Sequence, residues 1–150
     1  MVERRITLEI SSSPHHVRLA ATAARSIVST TSLPESDVSH VHLCVTEAAT
    51  NSIHHGYMGK AGRAIRIDIT LLDEKLIIDV CHQGNNSEQF QQALDALVIS
   101  NEQDLEAFMM KNLMSEGGRG LALIKYYMDE TKVLSESGWV CLSMAKHLTQ

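Results

Sequence analysis

Three polar side chains recur at every fourth position in the first half of the chain: Glu47, Asn51 and His55. On a helix this spacing places them on one face, with apolar residues on either side. A carboxylate can accept a proton, and a carboxamide oxygen can bind a hard cation such as Mg²⁺. Set one helical turn apart, the two groups are parts of a nucleotide–Mg²⁺ site. The same stripe is also typical of a solvated helix face, so a second signal is needed.

A glycine turn further along the chain supplies that signal. Gly117, Gly118 and Gly120 surround Arg119 and lead directly into an apolar helical run. Backbone N–H groups in such a turn, together with the N-terminus of the helix that follows, bind phosphate groups. Glycine lets the backbone come close to a phosphate where a Cβ atom would obstruct it.

In this order, the two stretches resemble the N box and the second glycine box of the Bergerat-fold ATPases, the superfamily of gyrase, Hsp90, histidine kinases and MutL. Within that superfamily the sequence is similar to the small anti-sigma-factor serine/threonine kinases of bacterial partner-switching systems. The helix that ends in His55-Gly56-Tyr57 and the run from Ser115 to Glu130 both carry this likeness. The resemblance implies ATP and Mg²⁺ as cofactors. It also implies a homodimer that phosphorylates a STAS-domain anti-sigma antagonist and sequesters a sigma factor.

The resemblance also implies roles for individual residues. Asn51 would bind the Mg²⁺ that accompanies ATP, and Glu47 would act as the base toward the incoming hydroxyl group. The glycine turn would contact the phosphates. Arg119 would add positive charge there or remain a solvated side chain of the first helical turn. His55 would pack and hydrogen-bond at the site and take no part in catalysis.

The first glycine box departs from the family pattern. Members of the family end the second hairpin strand with Asp, any residue and Gly, and the Asp carboxylate accepts a hydrogen bond from the adenine amino group. Here the corresponding residues are His82-Gln83-Gly84. A neutral imidazole can accept the same bond, whereas a protonated one cannot. Loss of the acceptor would cost about 1.5–3 kcal/mol.

Weak ATP binding, an altered base preference and no nucleotide binding are therefore all open at this point. The alternative function is a degenerate, non-catalytic module of the same fold that regulates a protein partner.

Composition limits the remaining function classes. The chain has 150 residues, 44% of them hydrophobic, and a net charge of −5, which predicts one globular domain. The sequence has no basic run or stripe, so direct nucleic-acid binding is not expected. It has no apolar stretch of membrane-spanning length and no signal-peptide core, so we expect a cytoplasmic protein without membrane contact. Three widely spaced cysteines in apolar runs predict buried reduced thiols: Cys44, Cys81 and Cys141.

The elements that position these groups can be read from periodicity. Alternating apolar residues predict a strand at 4–10, a hairpin of two strands at 65–82 and a final pair at 131–136 and 139–147. Helical spacing predicts helices at 15–29, 34–57, 87–100 and 119–128, with a partly helical lid at 101–116. The order predicts an α+β fold. It is a two-layer α/β sandwich in which helices cover one face of a mixed, largely antiparallel sheet, as the resemblance also implies.

Overall fold

The computed structural model describes residues 3–114 and 118–148. The described chain forms five strands and five α-helices, in the order β1 (Arg4–Ser11), α1 (Pro14–Val28), α2 (Glu35–Asn51), β2 (Ala64–Leu71), β3 (Lys75–Gln83), α3 (Ser87–Asp95), α4 (Glu102–Lys111), α5 (Arg119–Tyr127), β4 (Glu130–Glu136) and β5 (Trp139–His147). A π-helical turn, Ser52–Gly56, continues α2 without a break.

The strands form one sheet in the order β1-β2-β3-β5-β4, and each of the described pairings is antiparallel. Alternate residues of β2 share one face, because successive side chains of a strand point to opposite sides. Ile65, Ile67 and Ile69 on that face are fully buried in a core that also includes apolar residues of α1, α2 and α5. The predicted two-layer α+β fold is therefore confirmed, and its sheet is antiparallel in all described pairings, where a mixed, largely antiparallel sheet was predicted.

Two helices end earlier than the periodicity predicts. The α-helical part of α2 stops at Asn51, and the π-helical turn carries the chain on to Gly56. α3 ends at Asp95 because the Lys125 ammonium of α5 donates to the backbone oxygens of Leu94 and Leu97, at 2.7 and 2.6 Å. A cation on the last carbonyls of a helix stabilises its C-terminal end, so tertiary contact sets this boundary.

Tyr57 fixes the end of the π-helical turn against the sheet. Its ring is buried, and its hydroxyl donates to the backbone oxygen of Ala64 in β2. The same hydroxyl accepts from the backbone N–H of Gln83 in β3, at 2.7 Å. One side chain thus holds α2, β2 and β3 in a fixed relation, and it does so beside the residues that line the candidate site.

The prediction of three reduced thiols is wrong for two of them. Cys81 and Cys141 are disulfide-bonded, and they are direct partners in the register of β3 and β5. They are 60 residues apart in sequence, so only the strand pairing brings them together. Cys44 is a free, buried cysteine as predicted, and burial, opposed in part by Lys146, raises the pKa of its thiol to about 12.

The sheet face that carries this disulfide is the one without helices. There Asp68 is buried between two arginines, with Arg5 Nη2 and Arg66 Nε at 3.3 and 3.2 Å from its Oδ2 atom. The Arg66 guanidinium lies 4.6 Å above the ring of Trp139. Within residues 3–114 and 118–148, no helix is long and apolar enough to cross a membrane.

Candidate active site

Glu47 and Asn51 lie one turn apart on α2, and each lines a different cavity. Asn51 lines a cavity of about 270 Å³, together with His55, Gly56 and His82. Glu47 lines a second cavity of about 500 Å³, together with Arg119 and Gly120 at the start of α5. The two residues therefore belong to a pair of neighbouring cavities, and both cavities include residues of α2 and α5.

The cavity beside Asn51 is lined by both apolar and polar side chains. Its apolar lining is supplied by α3, the segment after it and α5, and consists of Phe90, Ala93, Leu97 and Leu121. Its polar side chains include Asn51, Asn86 and Gln89. A mostly apolar pocket with a few convergent polar groups is the usual form of a small-molecule site.

Gly118 joins the glycine turn to this cavity. It lies in the left-handed region, with φ of 83°, which favours glycine, and it also lines the cavity. It precedes α5, which begins without a hydrogen bond from a capping side chain. The first backbone N–H groups of such a helix are available to an anion. Gly117 lies outside the described residues.

Gly120 explains how α5 can approach Glu47. A Cβ atom at this position would lie 2.6 Å from Glu47 Oε2, well inside van der Waals contact. The absence of a side chain at Gly120 therefore lets the carboxylate rest against the first turn of α5. This contact links the N-box helix to the glycine turn, two stretches that the sequence separates by about seventy residues.

The electrostatic environment of Glu47 suits a proton acceptor. Burial raises the pKa of its carboxyl group, and the Arg119 guanidinium opposes that change. A carboxylate with a raised pKa holds a proton more readily than a solvated one, which is what a general base must do. Arg119 is partly buried and its Nε atom has no hydrogen-bond partner among the described residues. Arg119 is therefore not a fully solvated side chain.

His82 lies at the end of β3 and is only 2% exposed. Its Nε2 atom is 3.1 Å from Asn86 Oδ1, and burial lowers the pKa of the imidazole while this hydrogen bond raises it. Gly84 is beside His82, and its backbone N–H donates to the Gly138 oxygen at 3.0 Å, but it does not line the cavity.

Sequence reasoning assigned no site role to Asn86 and Gly56. Asn86 precedes α3, and its side chain forms no capping hydrogen bond with that helix and contacts His82 instead. Gly56 packs against the imidazole, since a Cβ there would lie 2.6 Å from His82 Cγ. The sequence gives little signal for them: Asn86 follows His82 by four residues, but Gly56 precedes it by 26, and only the fold brings Gly56 against the imidazole.

The described geometry can bind a nucleotide and transfer a phosphoryl group. It offers an amide for a cation, an uncapped helix N-terminus for phosphates and an apolar wall for a base, and a carboxylate base lies in the neighbouring cavity against the first turn of α5. These features define an ATPase-type domain of the two-layer α/β class. The chain belongs to the histidine kinase-like ATPase domain family, whose sequence profile matches residues 10–146.

Curated relatives place the chain within that family. It is 29% identical to the serine-protein kinase RsbW of Bacillus velezensis over 145 residues, which cover 95% of this chain and 85% of the relative. It is 29% identical to the anti-sigma F factor of Clostridium acetobutylicum over 138 residues, which cover 92% and 89%. These comparisons confirm the resemblance to anti-sigma-factor serine kinases, and they do not favour the non-catalytic alternative.

Solved structures share the fold. A chain of the SiaB–SiaC complex from Pseudomonas aeruginosa superposes with a TM-score of 0.67 at 15% identity, covering 94% of this chain and 89% of that one. The RsbU and RsbW domains of a Mycobacterium tuberculosis protein give a TM-score of 0.60 at 13% identity, covering 97% and 32%. At these identities the likeness supports the two-layer α+β fold and carries nothing further.

Proposed function

We propose that this protein is an anti-sigma factor and an ATP-dependent protein serine/threonine kinase. It phosphorylates a hydroxyl group of a STAS-type anti-sigma antagonist and sequesters a sigma factor. The contact that carries the proposal is the one between Glu47 and Gly120, because it places a candidate base against the helix that would bind the phosphates. Kinase and anti-sigma names among the relatives support both halves of the proposal.

In this proposal, one cavity binds the nucleotide and the other receives the hydroxyl group of the protein substrate. Mg-ATP would occupy the cavity beside Asn51, whose amide oxygen would serve as a ligand for Mg²⁺, and the N-terminus of α5 would bind the phosphates. The backbone of the glycine turn would contact the phosphates, as the resemblance implies. The hydroxyl group of the protein substrate enters the cavity of Glu47, which accepts its proton as the phosphoryl group transfers. Arg119 balances negative charge there.

The resemblance further supports three general features of the proposal. The protein acts in the cytoplasm, as a homodimer, and its link to transcription runs through protein partners. The homodimer is tested by measuring the molar mass in solution by light scattering during gel filtration. A molar mass equal to that of one chain at all concentrations used for the kinase assay would refute the proposed homodimer.

Phosphate transfer tests the kinase directly. A STAS-domain anti-sigma antagonist is incubated with this protein, γ-labelled ATP and Mg²⁺, and labelled antagonist is quantified. Glu47→Gln should lower the rate at least a hundredfold, the usual contribution of a general base, while leaving Mg-ATP binding in place. Glu74→Gln, at an exposed position in the turn before β3, is the matched control. Wild-type transfer by Glu47→Gln would refute the role of this carboxylate.

Ligand-induced stabilisation tests the nucleotide site separately. A ligand that binds only the folded state stabilises by mass action, about 2.7 kcal/mol at a hundred times Kd, so Mg-ATP should raise Tm. Asn51→Ala should abolish the part of this shift that depends on Mg²⁺. If Mg-ATP at millimolar concentration gives no shift in the wild type, the protein is a binding module and the kinase proposal fails.

A further inference from the structure

Lys125 joins two helices that both line the cavity beside Asn51. It lies on α5, and its ammonium group donates to the backbone oxygens of Leu94 and Leu97, at 2.7 and 2.6 Å. Hydrogen bonds from an ammonium group are charge-assisted and are stronger than those between neutral groups. One cation therefore fixes the last turn of α3, and the residues that follow it, against α5.

The segment that Lys125 contacts supplies the apolar wall of the cavity. Phe90 and Ala93 of α3 line this wall, and so does Leu97, which follows the end of the helix. The side chain of Leu94 is buried in the core, whereas that of Leu97 is only partly buried. Regular helical structure has ended before Leu97, so its position depends on contacts to other elements. The hydrogen bond from Lys125 is such a contact.

The other end of the contact lies on the helix that would bind the phosphates. Leu121 and Lys125 are one turn apart on α5, and Leu121 lines the cavity, as does Gly118 immediately before the helix. The distance between α5 and the end of α3 therefore sets the distance between the phosphate end of the cavity and its apolar wall. Lys125 fixes that distance from outside, because it is not among the residues that line the cavity.

α3 has a second attachment, which does not depend on Lys125. The backbone N–H of Val133 in β4 donates to Gln91 Oε1 in the middle of α3, at 2.9 Å. Among the described residues, β4 contributes nothing to the lining of the cavity. Loss of the Lys125 contact should therefore release the end of α3 that carries Leu97 without detaching the helix from the sheet.

We propose that Lys125 is a positioning residue for nucleotide binding: it holds the apolar wall at the end of α3 where a base can contact it while the phosphates reach the start of α5. The inference rests on the proposed function, because it concerns the same nucleotide site. Lys125 acts through the backbone of Leu94 and Leu97 and touches neither substrate. Its loss should weaken nucleotide binding and leave the transfer step, which depends on Glu47, unchanged.

Nucleotide affinity of a variant without the ammonium group tests the inference. Lys125→Met keeps an unbranched, helix-forming side chain and removes the donors. The dissociation constant of Mg-ATP, measured by calorimetry, should rise about tenfold. An unchanged dissociation constant in Lys125→Met, with binding by the wild type intact, would overturn the inference alone. Failure of the wild type to bind Mg-ATP would remove the proposed function as well.

Lys146→Met is the matched control. Lys146 Nζ donates to the backbone oxygen of Tyr127, the last residue of α5, at 2.8 Å. It is the same kind of contact on the same helix, but neither residue lines the cavity. Both substitutions should lower Tm, whereas Lys146→Met should keep the dissociation constant of Mg-ATP within about twofold of the wild-type value. An equal rise in both variants would overturn the inference, because general loosening of the fold would explain it.

Two further measurements separate positioning from a merely structural role. Lys125→Arg restores charged donors that can reach two carbonyl oxygens, and it should bind Mg-ATP within about threefold of the wild type. In Lys125→Met, KM for Mg-ATP should rise while the rate of transfer at saturating Mg-ATP stays the same. No recovery in Lys125→Arg, or a lower saturated rate with an unchanged KM, would overturn the inference. Thermal unfolding without nucleotide verifies that Lys125→Met is folded; if it is not, Lys125→Gln takes its place with the same expected results.

Discussion

The substitution Gly120→Ala should distinguish an effect on catalysis from an effect on the stability of the fold. Its hypothetical Cβ lies 2.6 Å from Glu47 Oε2, about 0.9 Å short of an ordinary contact of roughly 3.5 Å. In Gly120→Ala the side chain of Glu47 must move by about this amount. The neighbour that yields is the flexible end of a side chain, so the fold need not change. The base, however, leaves the position from which it would accept the proton.

Gly120→Ala should affect the stability of the fold and the rate of phosphate transfer in opposite directions. Alanine in the first turn of α5 favours the helix by about 0.5–1 kcal/mol relative to glycine, which is worth up to about 4 °C in Tm for a chain of this size. A displacement near 1 Å at a reacting group costs on the order of a hundredfold in rate. We therefore expect Gly120→Ala to lose about a hundredfold in transfer to the antagonist while its Tm is unchanged or slightly higher.

The assay is single-turnover phosphate transfer at saturating Mg-ATP, with thermal unfolding of the same preparations. Repeating the substitution in a Glu47→Gln background gives a double-mutant cycle, in which Gly120→Ala should have little further effect because the group it displaces is already inactive. Undiminished transfer by Gly120→Ala would refute the reasoning. A fall in Tm of several degrees would also refute it, because the loss of transfer would then result from a destabilised fold.

Three further predictions follow from contacts elsewhere in the structure. Arg119→Gln removes a charge that lowers the pKa of Glu47, so the acid limb of kcat/KM, below which the base is protonated, should move to higher pH in a pH–rate profile. Tyr57→Phe leaves two partly buried backbone groups without their partner and should lower the free energy of unfolding by about 1–3 kcal/mol in urea titrations. Reduction of Cys81–Cys141 opens a crosslink across 60 residues and should cost about 4 kcal/mol by the chain-entropy relation, seen as a lower Tm with dithiothreitol.

Each of these has a matched control. Arg18→Gln, at an exposed position on α1, should leave the acid limb in place, and an equal shift in both variants would mean that net charge alone moves it. Tyr126→Phe removes a hydroxyl group from α5 and should cost less than Tyr57→Phe; an equal cost would contradict the bridging role of Tyr57. Cys44→Ser leaves the disulfide in place and should retain the response to dithiothreitol, whereas an unchanged Tm in reduced wild type would contradict the crosslink.

Local pattern determined most of the fold. Alternation in Ile65, Ile67 and Ile69 sufficed to identify a half-buried strand, because side-chain direction in a strand depends only on position along it. The four-residue spacing of Glu47 and Asn51 placed both on one helix face for the same reason. The family resemblance, which the sequence profile over residues 10–146 confirms, implied the same fold and added the roles of the site residues.

Contacts between distant segments were decided by the tertiary structure alone. The Cys81–Cys141 bond depends on the register of β3 and β5, and the end of α3 depends on a lysine from α5. The two-cavity arrangement depends on how closely Gly120 lets α5 approach Glu47. Sequence spacing fixes the direction of a side chain on its own element. It does not fix the distance to another element, because that distance is set by packing the whole core at once.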